Sequence, residues 1–267
     1  MVGKTIIEAQ GVSKVYGSGQ EAVVALDDIS FKVTEGELVC MLGPSGCGKT
    51  TMLNIVAGFE TASSGQVLVG GNKVSKPAPD RGYVFQDHGL FPWLTISQNV
   101  GFGLLRNKTM SKEQRKSEVQ RYLHMVGLSD FGDVYPHQLS GGMRQRAAIG
   151  RALAPDPQVV LMDEPFAALD AQTRYAMQIA LLEIRDKSHK TILFVTHSID
   201  EALMLSDRVM LFSRRPGRLR LVESIKADHP RAPNDPAFSE LKDKLFTILQ
   251  EERQIDIPDN QTMVKAS

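Results

Sequence analysis

The chain has 267 residues, too long for one small domain and suited to a compact core with a smaller lobe attached. Hydrophobic residues make up 42% and charged residues 23%, which excludes wholesale disorder; Lys plus Arg and Asp plus Glu each number 31, so no net charge draws the molecule to nucleic acid or an anionic membrane. No apolar run approaches the ~18 residues that cross a bilayer, the start MVGKTIIEAQ lacks a secretory apolar stretch, and two cysteines, Cys40 and Cys47, are too few for a disulfide framework, so the expected setting is soluble, cytoplasmic and reduced.

Short β-rich runs come first, at Thr5–Ala9, Val12–Tyr16 and, past a glycine-rich connection, Ile29–Val33. Glu37–Leu42 is an apolar run ending in glycine, as a fully buried strand of a parallel sheet should read. Lys49–Ala57 has helical character and is stopped by Gly58; Gln66–Val69 is a short strand before a turn. From about Gln86 the character changes. Phe91, Pro92 and Trp93 sit in a loop, and Ser111–Met125 has helical spacing with many charges, so a helical insertion is expected. The α/β alternation then resumes with a helix over Gly142–Leu153, a buried strand over Gln158–Met162 and a helix over Gln172–Asp186. A buried strand at Thr191–Val195, a helix at Ile199–Leu205 and strands at Arg208–Phe212 and Arg218–Val222 follow. Asp228–Pro236, rich in Pro and Asp, reads as a linker, Phe238–Glu252 as a terminal helix, and the residues beyond Asp256 as a frayed tail.

The strongest local signal is GPSGCGKT: Gly43, Pro44, Ser45, Gly46, Cys47, Gly48, Lys49 and Thr50, followed by Thr51. It fits G-x-x-x-x-G-K-[ST] between a buried strand and a helix, where glycines let backbone N–H groups surround phosphate and the helix dipole adds its positive end. A chance match in a chain this long is on the order of one per cent, so a mere glycine turn is the weaker reading. Lys49 is expected on the β- and γ-phosphates and the Thr50 hydroxyl on magnesium. In VVLMDE, four apolar residues form a strand from whose carboxyl end Asp163 emerges, placed to bind magnesium, with Glu164 placed to polarise an attacking water. Acidic residues at a strand end are otherwise helix caps. LSGGM (Leu139, Ser140, Gly141, Gly142 and Met143) opens a helix with Ser140 as a good N-cap and two glycines beside it. Alone it is a plain capped helix. One triphosphate does not need two such cradles from one chain, so the second is expected to serve a partner's nucleotide in a head-to-tail pair.

The order Tyr16, GPSGCGKT, Gln86, LSGGM, VVLMDE, ALD (Ala168–Asp170) and His197 resembles the nucleotide-binding subunit of ABC transporters over roughly Ile6 to Phe212. The resemblance implies an α/β fold: a P-loop NTPase core with a mixed/parallel sheet, an N-terminal antiparallel β-subdomain and an α-helical insertion. It divides the chain into an ABC ATPase domain at 1–227, with the insertion at about 87–155, and a linker, helix and tail at 228–267. It implies that Tyr16 stacks on adenine, that Gln86 contacts magnesium and relays nucleotide state, and that His197 touches the γ-phosphate beside Glu164 and Lys49. Leu139 to Met143 and Asp170 would act in trans at the dimer interface. Met143 stands where this family most often has glutamine and lacks the amide that would supply a hydrogen bond there. Cys47 has two readings: a thiol of lowered pKa at a helix N-terminus, or a small loop residue covered by nucleotide.

Within the family, Pro77–Val100 and EPFAALD (Glu164–Asp170) resemble bacterial importers of the nitrate, sulfonate and taurine group. Leu90, Phe91 and Trp93 suit a hydrophobic groove for a permease helix, or else fill the core beneath the insertion. The resemblance implies an ATPase that uses ATP and Mg2+ as a homodimer on the cytoplasmic face of the membrane. Its partners would be permease subunits, an extracytoplasmic solute-binding protein indirectly, and no nucleic acid. An ABC ATPase acting on DNA or ribosomes is the alternative, disfavoured by a single cassette, the lack of a heptad run or zinc motif, and zero net charge. A small-molecule kinase would leave LSGGM and His197 unexplained. The transported solute is not specified by these residues.

Overall fold

The computed structural model describes residues 3–167, 169–227, 229, 231 and 236–254. In chain order the regular elements begin with β1 (Thr5–Tyr16), β2 (Val23–Thr34), β3 (Leu38–Leu42), α1 (Lys49–Ala57), β4 (Ser64–Val69), β5 (Asn72–Lys73) and β6 (Arg81–Val84). Helices α2 (Ile96–Gly101), α3 (Lys112–Met125) and α4 (Gly141–Leu153) follow, then β7 (Val159–Asp163), α5 (Ala171–Ser188) and β8 (Thr191–Thr196). The chain continues through α6 (Ile199–Leu205), β9 (Arg208–Phe212), β10 (Leu219–Ser224) and α7 (Ser239–Gln254).

An antiparallel sheet has the order β2-β1-β4-β5, and a second sheet the order β10-β9-β3-β8-β7-β6. In the second, only β10 runs antiparallel to its neighbour. Strands β3, β7 and β8 are buried at every residue. Their side chains alternate between two cores, as a period of two demands. Leu38, Cys40 and Leu42, with Val160, Met162, Ile192 and Phe194, pack under the helices from α2 onward. Val39, Met41, Val159, Leu161, Leu193 and Val195 face α1 and the antiparallel sheet. That is why these runs are apolar without alternation: both faces are covered.

Several boundaries differ from the sequence expectation for local reasons. Thr5–Ala9 and Val12–Tyr16 are one strand, irregular between Ala9 and Val12, where Gly11 takes φ +57°. The second strand begins at Val23, well before Ile29, on alternating residues. β6 and α2 were not anticipated; each is short, and α2 depends on a capping box in which Thr95 and Gln98 exchange side-chain and backbone bonds. α3 opens with the same device from Ser111 and Gln114.

Of the expected linker, only His229, Arg231 and Pro236 are among the described residues, and the tail beyond Asp256 lies outside them. α7 shares the helical core through Leu245 and Leu249. Ahead of it Arg231, 4% exposed, ties its stretch of chain to the end of α6, its guanidinium donating to the carbonyls of Leu203 (2.9 Å), Ser206 (2.6 Å) and Ala227 (2.6 Å). Arg231→Leu strands those acceptors, so urea unfolding should show a loss of about 2–4 kcal/mol. A loss within about 0.5 kcal/mol, the range of an ordinary surface change, would deny Arg231 this role.

Candidate active site

Strand β3 runs into Gly43, where a Cβ would lie 2.9 Å from the Cys47 Sγ and 3.0 Å from the Phe212 carbonyl oxygen. Only glycine lets the chain leave the sheet there. Gly48 caps α1 at φ +98°, and a Cβ on it would come 2.8 Å from the Ala25 carbonyl oxygen. The resulting loop borders a cleft of about 330 Å³, whose walls include Tyr16, Ser45, Gly46, Gly48, Lys49, Thr50, Thr51 and Glu164. Lys49 is almost fully buried, its ammonium donating to the carbonyls of Gly43 (2.7 Å) and Pro44 (2.8 Å). The charge is thus held inside the loop it would neutralise phosphate from.

β7 brings Asp163 to the same place. The Thr50 hydroxyl donates to Asp163 Oδ1 at 3.1 Å, joining the helix to the acidic strand. Asp163 is 8% exposed. Burial pushes its carboxyl pKa up, with the Glu164 charge adding, against the Thr50 hydrogen bond and the Lys49 charge. A buried carboxylate beside a hydroxyl is relieved by a cation. Among the described residues no three His, Cys, Asp or Glu side chains gather to hold a metal. As a donor set, one carboxylate and one hydroxyl fit Mg2+, an ion that keeps much of its shell as water and substrate phosphate.

The next residue turns away from the strand. Glu164 has φ +42°, held by its N–H donating to the Val195 carbonyl at 3.1 Å. A non-glycine residue in the left-handed region costs about 1 kcal/mol or more, a cost that clusters at functional sites. Its Oε2 lies 3.0 Å from Nδ1 of His197, which leaves the end of β8 half-exposed. Behind His197, the Thr196 hydroxyl donates to Glu201 at 2.5 Å and accepts from the Ser198 N–H at 3.0 Å, while Gln178 donates to Glu201 at 3.2 Å. Burial raises the Glu201 carboxyl pKa against these bonds. Sequence reasoning missed this support, because an acidic residue in a helix's first turn reads as dipole complement.

Tyr16 ends β1 as an exposed ring on the cleft wall, with the Lys14 ammonium 4.8 Å from its centroid. Gln86 follows β6, the neighbour of β7, but it is exposed and is not among the residues lining the cleft. Arg215, from the turn between β9 and β10, does line it and was not anticipated; it lies far along the chain, outside every recognised motif. Leu139 to Met143 are absent from the cleft. Ser140 caps α4, its Oγ accepting from the Met143 N–H at 3.3 Å, and Leu139 is buried. A Cβ on Gly142 would meet Thr173 Cγ2 at 2.5 Å, whereas one on Gly141 has its nearest neighbour at 3.8 Å. Met143 packs partly against the helical core. Asp170 caps α5, accepting from the N–H groups of Gln172 (3.1 Å) and Thr173 (3.0 Å), which hold its pKa below the usual carboxylate range. Ala168 lies outside the described residues.

A second surface is apolar. Buried Asn99 accepts from the Phe91 N–H at 2.8 Å and donates to the carbonyls of Phe91 (3.1 Å) and Leu94 (3.0 Å). The loop so fixed displays Trp93, 70% exposed, with Phe91 between it and Phe102 at ring separations of 5.7 and 4.6 Å. Leu90 packs against the core instead of joining this surface.

A family model described as ABC transporter matches residues 26–167. An uncharacterized ABC transporter ATP-binding protein of Methanocaldococcus jannaschii is 47% identical over 249 residues, covering 93% of each chain. An aliphatic sulfonates import ATP-binding protein, SsuB, of Bacillus cereus is 41% identical over 235 residues, covering 88% of this chain and 92% of that protein. The dimeric post-hydrolysis structure of an ATP-binding cassette bound to ADP and Pi superposes with a TM-score of 0.73 at 33% identity, over 84% of this chain and 100% of the other.

Of the two readings of Cys47, the lowered thiol pKa is not what the structure gives. Its side chain is fully buried, and burial raises the thiol pKa despite the neighbouring Lys49 charge. The thiol packs in the core with Met41 and Phe212 and does not line the cleft. Cys40 is buried likewise, with its pKa raised well above the usual value. Iodoacetamide at pH 8 should therefore leave the folded protein unmodified by intact mass, with or without ATP, and label both thiols in guanidinium. Rapid labelling of Cys47 in the native protein would contradict this placement.

Proposed function

The chain belongs to the ABC transporter family as an ATP-binding subunit with ATPase activity, and from that premise we propose that it works as a head-to-tail homodimer driving import through permease subunits. The observation that carries this reading is the separation of two half-sites: Ser140 and Gly142 line a hollow with Gln172 and Thr173, while the phosphate loop lines another cleft. Pairing two copies would set each Leu139–Met143 segment over the partner's loop and make two equivalent sites. The assemblies of the similar cassette structures are dimeric.

In the closed site Lys49 and the start of α1 would balance phosphate charge. Thr50 and Asp163 would hold Mg2+, with Gln86 joining them; bound there, the ion would supply further neutralisation of phosphate charge. Glu164 takes a proton from water as its oxygen bonds to the γ-phosphorus; the bond to the β-phosphate oxygen breaks, giving ADP and phosphate. His197, fixed by β8 and in contact with Glu164, orients that carboxylate and meets the γ-phosphate. Tyr16 stacks on adenine. Gly141, free of close neighbours, offers open backbone to the partner's phosphates, with Leu139, Ser140, Gly142, Met143 and Asp170 around it.

The similarity to aliphatic sulfonates import ATP-binding proteins supports import of a small sulfonate-like anion, recognised by an external binding protein and not by this subunit. Among the described residues no helix is long and apolar enough to cross a membrane. Attachment to the cytoplasmic membrane face would run through the exposed Trp93 and Phe102 surface, which suits a permease helix. We assign residues 1–227 to the cassette and 228–267 to a linker, helix and tail.

Glu164→Gln should bind Mg-ATP, lose at least about a hundredfold in hydrolysis and accumulate as a dimer in light scattering, in the range of a lost general base; a fully active variant would overturn the assignment. Phe91→Ala with Trp93→Ala should leave soluble ATP binding intact and abolish transport in reconstituted vesicles. Normal transport by that pair would dismiss the docking surface.

A further inference from the structure

The turn joining β9 to β10, residues 213–218, lies directly on the phosphate loop. A Cβ on buried Gly217 would come 2.1 Å from the Cys47 carbonyl oxygen. The Gly217 N–H donates to the Ala25 carbonyl and its own carbonyl accepts from the Asp27 N–H, both at 3.0 Å. Inside the turn, the Ser213 hydroxyl lies 3.0 Å from the Pro216 carbonyl and accepts from the Arg218 N–H at 2.9 Å. On the outer side stands Glu252 of α7, 6% exposed. One of its oxygens accepts from the Arg214 N–H at 2.7 Å, and the other pairs with Arg220 at 3.2 Å. The turn is therefore held by β2, by the loop and by the C-terminal helix at once.

What this turn displays is Arg215. It is exposed, it lines the cleft with Ser45, Gly46 and Thr50, and its Nη2 lies 3.9 Å from the Cβ position of Gly46. Its neighbours Arg218 and Arg220 are paired, with Asp27 and Glu252. Among the described residues no carboxylate pairs with Arg215. A guanidinium with no counter-ion among the described residues, carried on a bonded turn beside a phosphate-binding loop, is a ready anion site, since its planar donors match phosphate oxygens.

We infer that Arg215 is a further nucleotide-contacting residue, its guanidinium binding the polyphosphate of ATP and of ADP at the Ser45–Gly46 side of the loop, and that Glu252 is its positioning residue. The inference rests on the reading of the cleft as the ATP site. It gives α7 a part in nucleotide affinity: the helix anchors the turn that carries the charge. Because the contact comes from the same chain as the loop, it acts before any dimer closes and does not depend on the γ-phosphate.

Titration of the full chain with the fluorescent analogues mant-ATP and mant-ADP tests this. Arg215→Ala should raise both dissociation constants about tenfold, the usual range for a lost charge-assisted hydrogen bond, and Arg215→Lys should recover part of the loss. Glu252→Ala, confirmed folded by circular dichroism, should weaken both analogues and add nothing further in the Arg215→Ala background. Binding by Arg215→Ala within twofold of the wild type overturns the contact. Equal weakening by Glu252→Ala in both backgrounds overturns the positioning role. Wild-type protein that binds neither analogue sinks the ATP-site reading itself, and this inference with it.

Discussion

Parallel register among three buried strands sets where everything else goes. Leu42 of β3 lies opposite Thr196 of β8, and Val195 of β8 lies opposite Asp163 of β7. Three apolar runs that satisfy their backbones only by pairing must end side by side, so their following residues crowd one edge of the sheet. Gly43, Glu164 and His197 are those residues. The loop needs glycine because the exit from β3 is closed by Phe212, and Glu164 takes a left-handed conformation because its N–H is already bound to β8. Chemistry sits where the backbone is most constrained.

Two helix N-termini beside glycine lie apart on this chain. Lys49, Thr50 and Asp163 form a connected set around the first turn of α1, whereas the Ser140 cap stands at the head of α4 over Thr173 of α5. Both are helix N-termini next to glycine, and both suit anions. They differ in what surrounds them: the loop is backed by a buried lysine and an acidic strand, and the Ser140 end of α4 by Met143, Arg146, Gln172 and Thr173. In the dimer we propose, a site composed of one of each would make nucleotide the joint between two copies.

How much of this was readable beforehand follows from which interactions are local. α1, α6 and β9 begin and end where the sequence places them, because each is bounded by its own glycine, serine or acidic residue. β3, β7 and β8 announce themselves as apolar runs too short for helices. β6 and α2 do not, since four and six residues carry too little pattern and gain their order from β7 and from the Thr95–Gln98 box. The phosphate loop, the acidic pair and His197 were legible as motifs. Glu201, Asn99 and Arg215 were not, because each acts on residues brought near only by the fold. The direction of the Cys47 thiol was equally hidden; the loop's curvature, and not its composition, turns the side chain into the core.

Proximity of one chain's loop to another's signature is open to chemical cross-linking. In the Glu164→Gln background, protein carrying Ser45→Cys and protein carrying Ser140→Cys are mixed with Mg-ATP and a short bis-maleimide. Both native thiols are buried and should not interfere. Covalent dimer joining the two different chains, formed with ATP and missing without it, is the expected result. If the mixture gives no ATP-dependent cross-link while a single chain carrying both cysteines joins them internally as a monomer, the composite site is wrong.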